Sequence, residues 1–323
     1  MSGTGGGAVG EAAVGDKLDQ YELVELLARS GMASIFKAVD TATGQPVAVK
    51  VPHARFAGDV VFQERFRREE SAGQRLEHAN VVKMLTPARK SGTYLVMEYV
   101  DGPSLRSVLR ERGRLPAARA LEIARAVTEG LVYLHEHGVV HRDVKPENVL
   151  LPSSGGIKLV DLGIALDVSA RRLTWTGMSA VLGSPDYMAP EQVAGRRGDV
   201  RTDVYAVGTL LYEMITGALP FAESEPRALM NAKTKGEPTP PRAHLRAIDP
   251  ALESLILRAI ARDRRDRFET AAELLEALRD PAAAAKPLAP SHRRRRRIIG
   301  ITVMAAAVAL AAAVAILSRY LFG

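Results

Sequence analysis

The stretch HRDVKPEN, residues 141–148, followed by Asp161-Leu162-Gly163, crowds Asp143, Lys145, Asn148 and Asp161 into two short polar segments. What surrounds it decides the fold class. Upstream, between Tyr21 and Met97, lie short β-branched runs, YELVELL, SIFKAVD, PVAVKV and TYLVME, separated by Gly, Asn and Pro signals, with one helical pattern inserted. They predict a small sheet with one helix. From Ser104 onward the period turns helical: Ala120, Ala124, Val127, Leu131 and Leu134 recur at helical spacing and stop at Gly138. Val204, Val207, Leu211 and Met214 do the same before Gly217 and Pro220, and a last helix opens on Thr270 and Glu273 at capping-box spacing and ends near Asp280. Strands first and helices later predict an α+β chain with two lobes.

The 323 residues are 47% hydrophobic and 25% charged, enough to bury a core, which excludes wholesale disorder. Residues 281–323 hold Lys286 and six arginines without an acid, so residues 1–280 balance at 37 basic against 37 acidic groups. The basicity therefore belongs to the tail, which argues against a nucleic-acid-binding face on the folded body. With no cysteine, disulfides and thiolate chemistry are excluded. Residues 1–20, opening on MSGTGGGAVG, read as a flexible Gly-rich leader, and the Ala- and Pro-rich stretch from Pro281, ending in Arg293–Arg297, as a linker with an Arg run over residues 281–297. Residues 298–317, IIGITVMAAAVALAAAVAIL, carry no charge and would span about 30 Å as a helix, a bilayer core. A transmembrane helix over residues 298–318 is expected, with a short tail at 319–323. The arginines on its N-terminal side place the large domain in the cytoplasm by the positive-inside rule.

H-R-D-x-K-x-x-N followed by D-x-G resembles the catalytic loop and metal-binding turn of protein kinases, and the resemblance runs over residues 21–280. It implies a two-lobed fold with a small antiparallel sheet lobe and a larger helical lobe. It also implies ATP with Mg2+, or Mn2+ in its place, as cofactors, and proteins with Ser or Thr as substrates. By this resemblance Asp143 would accept the substrate hydroxyl proton, Asn148 and Asp161 would hold the metal ions, and Lys145 would contact the γ-phosphate as in Ser/Thr kinases. Leu162 stands where the family has Phe, an exchange expected to preserve packing.

Alternation along residues 47–51 puts Ala48 and Lys50 on one face and three valines on the other. In the following helix Phe62, Phe66, Glu69 and Leu76 share a stripe, so Glu69 points inward and needs a partner. The resemblance supplies it: Lys50 would pair with Glu69 and the α- and β-phosphates. The Gly-rich loop pattern falls on residues 28–35, where Ala28, Ser30 and Ala33 replace the signature glycines and Gly31 lies among them. Leu27, Ala28, Ser30, Gly31, Ala33, Ile35 and Ala48 are the expected nucleotide contacts, with the hinge after Met97 offering backbone groups of Glu98 and Val100 to adenine. Lost glycines leave open a pseudokinase, a membrane-anchored scaffold with weak or no transfer.

The activation segment would run from Asp161 to Ala189-Pro190-Glu191, with Ser184 near the base, Glu191 paired with Arg267, and Asp203 as an architectural N-cap. Thr174 and Thr176, beside Arg171 and Arg172, are the expected autophosphorylation sites, because Arg142 could meet their phosphates. The GMAS stretch and the Gly, Ala and Arg usage resemble the bacterial, Hanks-type Ser/Thr kinases. The sequence closes six residues after Leu317, so no extracellular sensor domain is expected. Ala305, Ala309 and Ala313 form a small-residue stripe on which two spans could pair as a homodimer.

Overall fold

The structure, a computed structural model, describes residues 11–56, 59–162 and 185–284. Outside these residues lie Gly163, Ser184, Thr174, Thr176 and their neighbouring arginines, as well as the Arg run and the apolar stretch 298–318. The first lobe is one antiparallel sheet in which β1 (Lys17–Leu18), β2 (Tyr21–Arg29), β3 (Ala33–Asp40) and β4 (Pro46–Pro52) follow in sequence order. Beyond β4 lie β6 (Leu95–Glu98) and then β5 (Met84–Leu85). The predicted alternation in β4 holds. Val47 and Val49 join Tyr21, Leu23 and Phe36 on one face, while Ala48 joins Leu95 and Met97 on the other, covered by Phe66 of α1 (Val60–Gly73).

Three local readings need correction. The leader is not loose to residue 20: Lys17 and Leu18 pair with Glu22 and Tyr21, and Asp19 Oδ2 accepts hydrogen bonds from Tyr94 Oη at 2.6 Å and the Ser91 amide at 2.8 Å. Leu76 lies beyond the end of α1 and is buried in the core of the second lobe. The stretch from Pro281 begins with a helical turn, not a linker, and Ala284 packs on that core.

The second lobe is built on α3 (Ala117–Glu136) and α5 (Val200–Thr216), whose apolar stripes meet in its core, with α2 (Leu105–Arg112) beside them. Gly138 at φ 74° and Gly217 at φ 72° follow these two helices as the sequence predicts. The remaining helices are α4 (Pro190–Val193), α6 (Pro226–Lys235), α7 (Pro250–Ala259), α8 (Ala271–Arg279) and α9 (Pro281–Ala284). Thr270 caps α8 by accepting from the Glu273 amide at 3.1 Å. Gly208 in α5 lets α7 approach closely, since a Cβ there would stand 2.6 Å from the Ala259 Cβ. A hairpin of β7 (Val149–Leu150) and β8 (Lys158–Leu159) faces the first lobe and carries the polar segments at its two ends. Among the described residues no helix is long and apolar enough to cross a membrane.

Candidate active site

Pairing of Val149 with Leu159, extended by the Val160 amide donating to the Asn148 carbonyl at 2.9 Å, sets Asn148 beside Asp161 at the mouth of the cleft. Before β7, Lys145 Nζ donates to Asp143 Oδ2 at 2.6 Å. Asn148 Nδ2 donates to the same oxygen at 3.0 Å and to the Asp143 carbonyl at 2.8 Å. Burial raises the Asp143 pKa and Lys145 pulls it back, leaving a carboxylate more basic than usual. That suits a group that must take a proton from a hydroxyl.

From the other lobe, Lys50 Nζ donates to Glu69 Oε1 at 3.0 Å and to Asp161 Oδ1. Burial works against charge on Lys50, but Asp161 and Glu69 overcome it and hold its pKa above the ordinary lysine value. Burial likewise opposes charge on Asp161, and Lys50 outweighs it and holds that carboxyl low. Glu69, 3% exposed, shifts the other way because burial dominates over Lys50. The inward carboxylate expected from the helical stripe is therefore paired with the lysine expected from strand alternation.

Arg142 and Asp161 hold left-handed backbone, at φ 64° and 62°, which costs a non-glycine residue about 1–2 kcal/mol. Asp203 helps impose it: its carboxylate accepts from the amides of His141 at 2.9 Å and Arg142 at 2.7 Å, and lies 2.8 Å from His135 Nε2. Asp203 is thus not the N-cap of α5, a role Asp199 takes by accepting from the Arg201 amide at 2.9 Å. Glu191 and Arg267 form the expected pair, two bonds of 2.8 Å each, and Leu162 is buried in the second lobe's core.

The altered loop departs least where it was expected to matter most. Among the described residues, positive φ falls on Asp19, Arg142, Asp161 and eight glycines, none of them between residues 27 and 35. Ala28, Ser30 and Ala33 therefore sit in backbone that any residue adopts. Ser30 Oγ closes the turn, accepting from the Met32 amide at 3.3 Å and the Ala33 amide at 3.1 Å, while the His53 amide donates to the Met32 carbonyl at 2.9 Å. Leu27 is skipped in the β2–β3 register and exposed, Ile35 and Ala48 line the inner face, and the Glu98 side chain is taken by Lys158 Nζ at 2.6 Å, leaving its backbone and that of Val100 in the lobe connection.

Two further residues act here that the pattern did not single out. Arg106 of α2 donates to Glu147 at 2.8 Å, Glu213 at 2.7 Å and the Tyr187 hydroxyl at 2.8 Å, locking residues 141–148 to the segment before α4. Gln192 Nε2 donates to the Arg142 carbonyl at 2.9 Å. Neither breaks a local rule, so no sequence signal marks them. Asn148 and Asp161 offer a metal ion an amide oxygen and, among the described residues, a carboxylate oxygen that Lys50 does not use. These are hard donors that fit a magnesium-type ion shared with phosphates.

Comparisons with known proteins identify the family. The model of the family described as Protein kinase domain matches residues 21–278. The probable serine/threonine-protein kinase PknB of Corynebacterium glutamicum is 38% identical over 265 residues, covering 79% of this chain and 41% of its own length. Serine/threonine-protein kinase PksC of Streptomyces coelicolor is 38% identical over 270 residues, covering 81% of this chain and 48% of its own. The chain thus spans less than half the length of these curated relatives. The crystal structure of the Mycobacterium tuberculosis PknI kinase domain superposes with a TM-score of 0.67 at 29% identity, covering 84% of this chain and 99% of that one. Family membership implies ATP and a divalent metal as reagents, and on the match over residues 21–278 together with these relatives the chain belongs to the protein kinase family.

Proposed function

We propose that the protein is a bacterial-type Ser/Thr protein kinase that transfers the γ-phosphate of ATP, with Mg2+ as the working metal, to Ser or Thr hydroxyls of proteins. One observation carries this reading: Asp143, joined to Lys145 and Asn148, lies near enough to Asp161 of the Lys50–Glu69–Asp161 set for the two to act on each other electrostatically. Bound metal would neutralise phosphate charge; the protein's part is to hold the reactants in line. Lys50, kept charged by two carboxylates, would meet the α- and β-phosphates. Asp143 takes the proton from the hydroxyl, and Lys145, bonded to the base, would contact the γ-phosphate that the hydroxyl attacks. The relatives named as serine/threonine-protein kinases support Ser and Thr as acceptors. The pseudokinase alternative is not favoured, because the replaced glycines occupy backbone that does not require glycine.

Transfer of labelled phosphate from ATP by the full chain, beside Asp143→Asn, tests this directly. Incorporation into Ser or Thr should fall about 10²–10⁴-fold in the variant. No incorporation by the folded wild-type chain would return the reading to the scaffold. Activation through phosphate on Thr174 or Thr176 belongs to the same proposal, as does anchoring by residues 298–318 in the plasma membrane as a single-pass protein with the kinase domain cytoplasmic. Phosphopeptide mapping that finds both threonines unmodified in a fully active enzyme overturns the first. Pairing of spans through Ala305, Ala309 and Ala313 would bring two copies together for phosphorylation in trans, and unchanged self-association after their replacement by Leu counts against it.

A further inference from the structure

Lys233 is 1% exposed, and among the described residues no carboxylate lies within salt-bridge distance of its ammonium group. It lies in α6, whose buried residues are Leu229, Met230 and Lys233 and which packs principally on α4 and on the turn Pro185–Tyr187. Its Nζ donates to the Asp186 carbonyl, to the Met188 carbonyl at 3.0 Å and to the Tyr205 hydroxyl at 3.4 Å, and lies 5.1 Å from the centre of the Tyr205 ring. Burial pushes its pKa down to about 7, with Asp186 opposing that shift and Arg267 adding to it. A lysine placed at such electrostatic cost against two backbone carbonyls holds those carbonyls more firmly than an apolar residue would.

The carbonyls belong to the short segment between the activation region and α4. That segment is tied to the catalytic stretch at the other side: Gln192 accepts from the Ala189 amide at 2.9 Å and donates to the Arg142 carbonyl at 2.9 Å, and Tyr187 meets Arg106 at 2.8 Å. Lys233 therefore stands at the far end of a chain of contacts that finishes next to Asp143. We propose that Lys233 is a positioning residue that sets the height and register of the peptide-binding platform, residues 185–189, relative to the catalytic base. The proposal rests on the kinase reading and adds to it the residue through which α6 acts on protein substrate.

The test compares the full chain with Lys233→Met, using a Ser/Thr peptide that the wild-type chain selects from a degenerate library, and reads KM for peptide and KM for ATP separately. Expected is a rise of about tenfold in peptide KM with ATP KM within about twofold, because the nucleotide contacts do not pass through residues 185–189. Unchanged peptide KM, or equal rises for both substrates, overturns the assignment. Should Lys233→Met fail to fold, Lys233→Gln keeps one donor toward the carbonyls and should raise peptide KM alone, by about threefold; a proportionate change for ATP overturns it as well. A wild-type chain that phosphorylates no peptide removes the kinase reading and this role together, whereas an active wild type with an indifferent variant removes only the role.

Discussion

Asp203 illustrates how much a single side chain does at this site. Fully buried, it accepts from the successive amides of His141 and Arg142 and so keeps Arg142 in left-handed backbone next to Asp143. Asp203→Asn keeps the shape but turns one acceptor into a donor facing an N–H group. It should cost about 1–3 kcal/mol of stability and lower kcat more than it raises ATP KM, measurable by thermal melts and steady-state kinetics. Ser30→Gly acts in the other direction. It frees the Met32 and Ala33 amides from the hydroxyl, and ATP KM should fall about fivefold, the worth of one net hydrogen bond. Lys50 and Glu69 were legible because strand and helix periodicity place a charge on an apolar face. The same arithmetic applied to Leu229, Met230 and Lys233 would have found the buried lysine. The role of Asp203 was not legible, since its partners lie 61 and 62 residues away and a carboxylate near a helix start reads as a cap.

At the level of elements, the helices were readable where apolar spacing was long and ended on glycine, as in α3 and α5. Tertiary contact changed the rest: Leu76 leaves the helix to join the other lobe, and residues 281–284 become helical against it. Gly208 lies where α5 packs against Ala259 of α7. Gly208→Val should destabilise by about 1–3 kcal/mol through overpacking, read as a lower denaturant midpoint at unchanged slope. The Glu191–Arg267 pair fastens α4 to the loop between α7 and α8, with the arginine side chain wholly buried. Burial opposes charge on Glu191, but Arg267 overcomes it and lowers its pKa, so the unfolded chain binds a proton here more readily than the folded one. The pair's contribution is complete above the ordinary Glu value of about 4.3 and is lost as pH falls through the depressed one. Glu191→Gln, which leaves the arginine unpaired, should cost about 3–5 kcal/mol near neutrality and flatten this acid limb in pH-dependent unfolding.

Across the whole molecule, the two-lobed plan follows from the order of strand and helix patterns, while the cleft needs both lobes folded: Lys50 and Asp161 are 111 residues apart and meet only there. Composition separates a balanced body from a basic, apolar tail, and the tail's proposed role is checked by flotation. The full chain should float with anionic phospholipid vesicles and resist extraction by high salt, whereas residues 1–284 should remain in the soluble fraction. Recovery of the full chain in the soluble fraction would sink the anchor. The Ser30 turn extends beyond the site itself. A loop whose amides are already satisfied exchanges one oxygen for another when nucleotide arrives, so part of the attraction is cancelled before binding begins. A kinase with its ATP affinity lowered in this way would respond more steeply to a fall in nucleotide level than its Ser30→Gly variant.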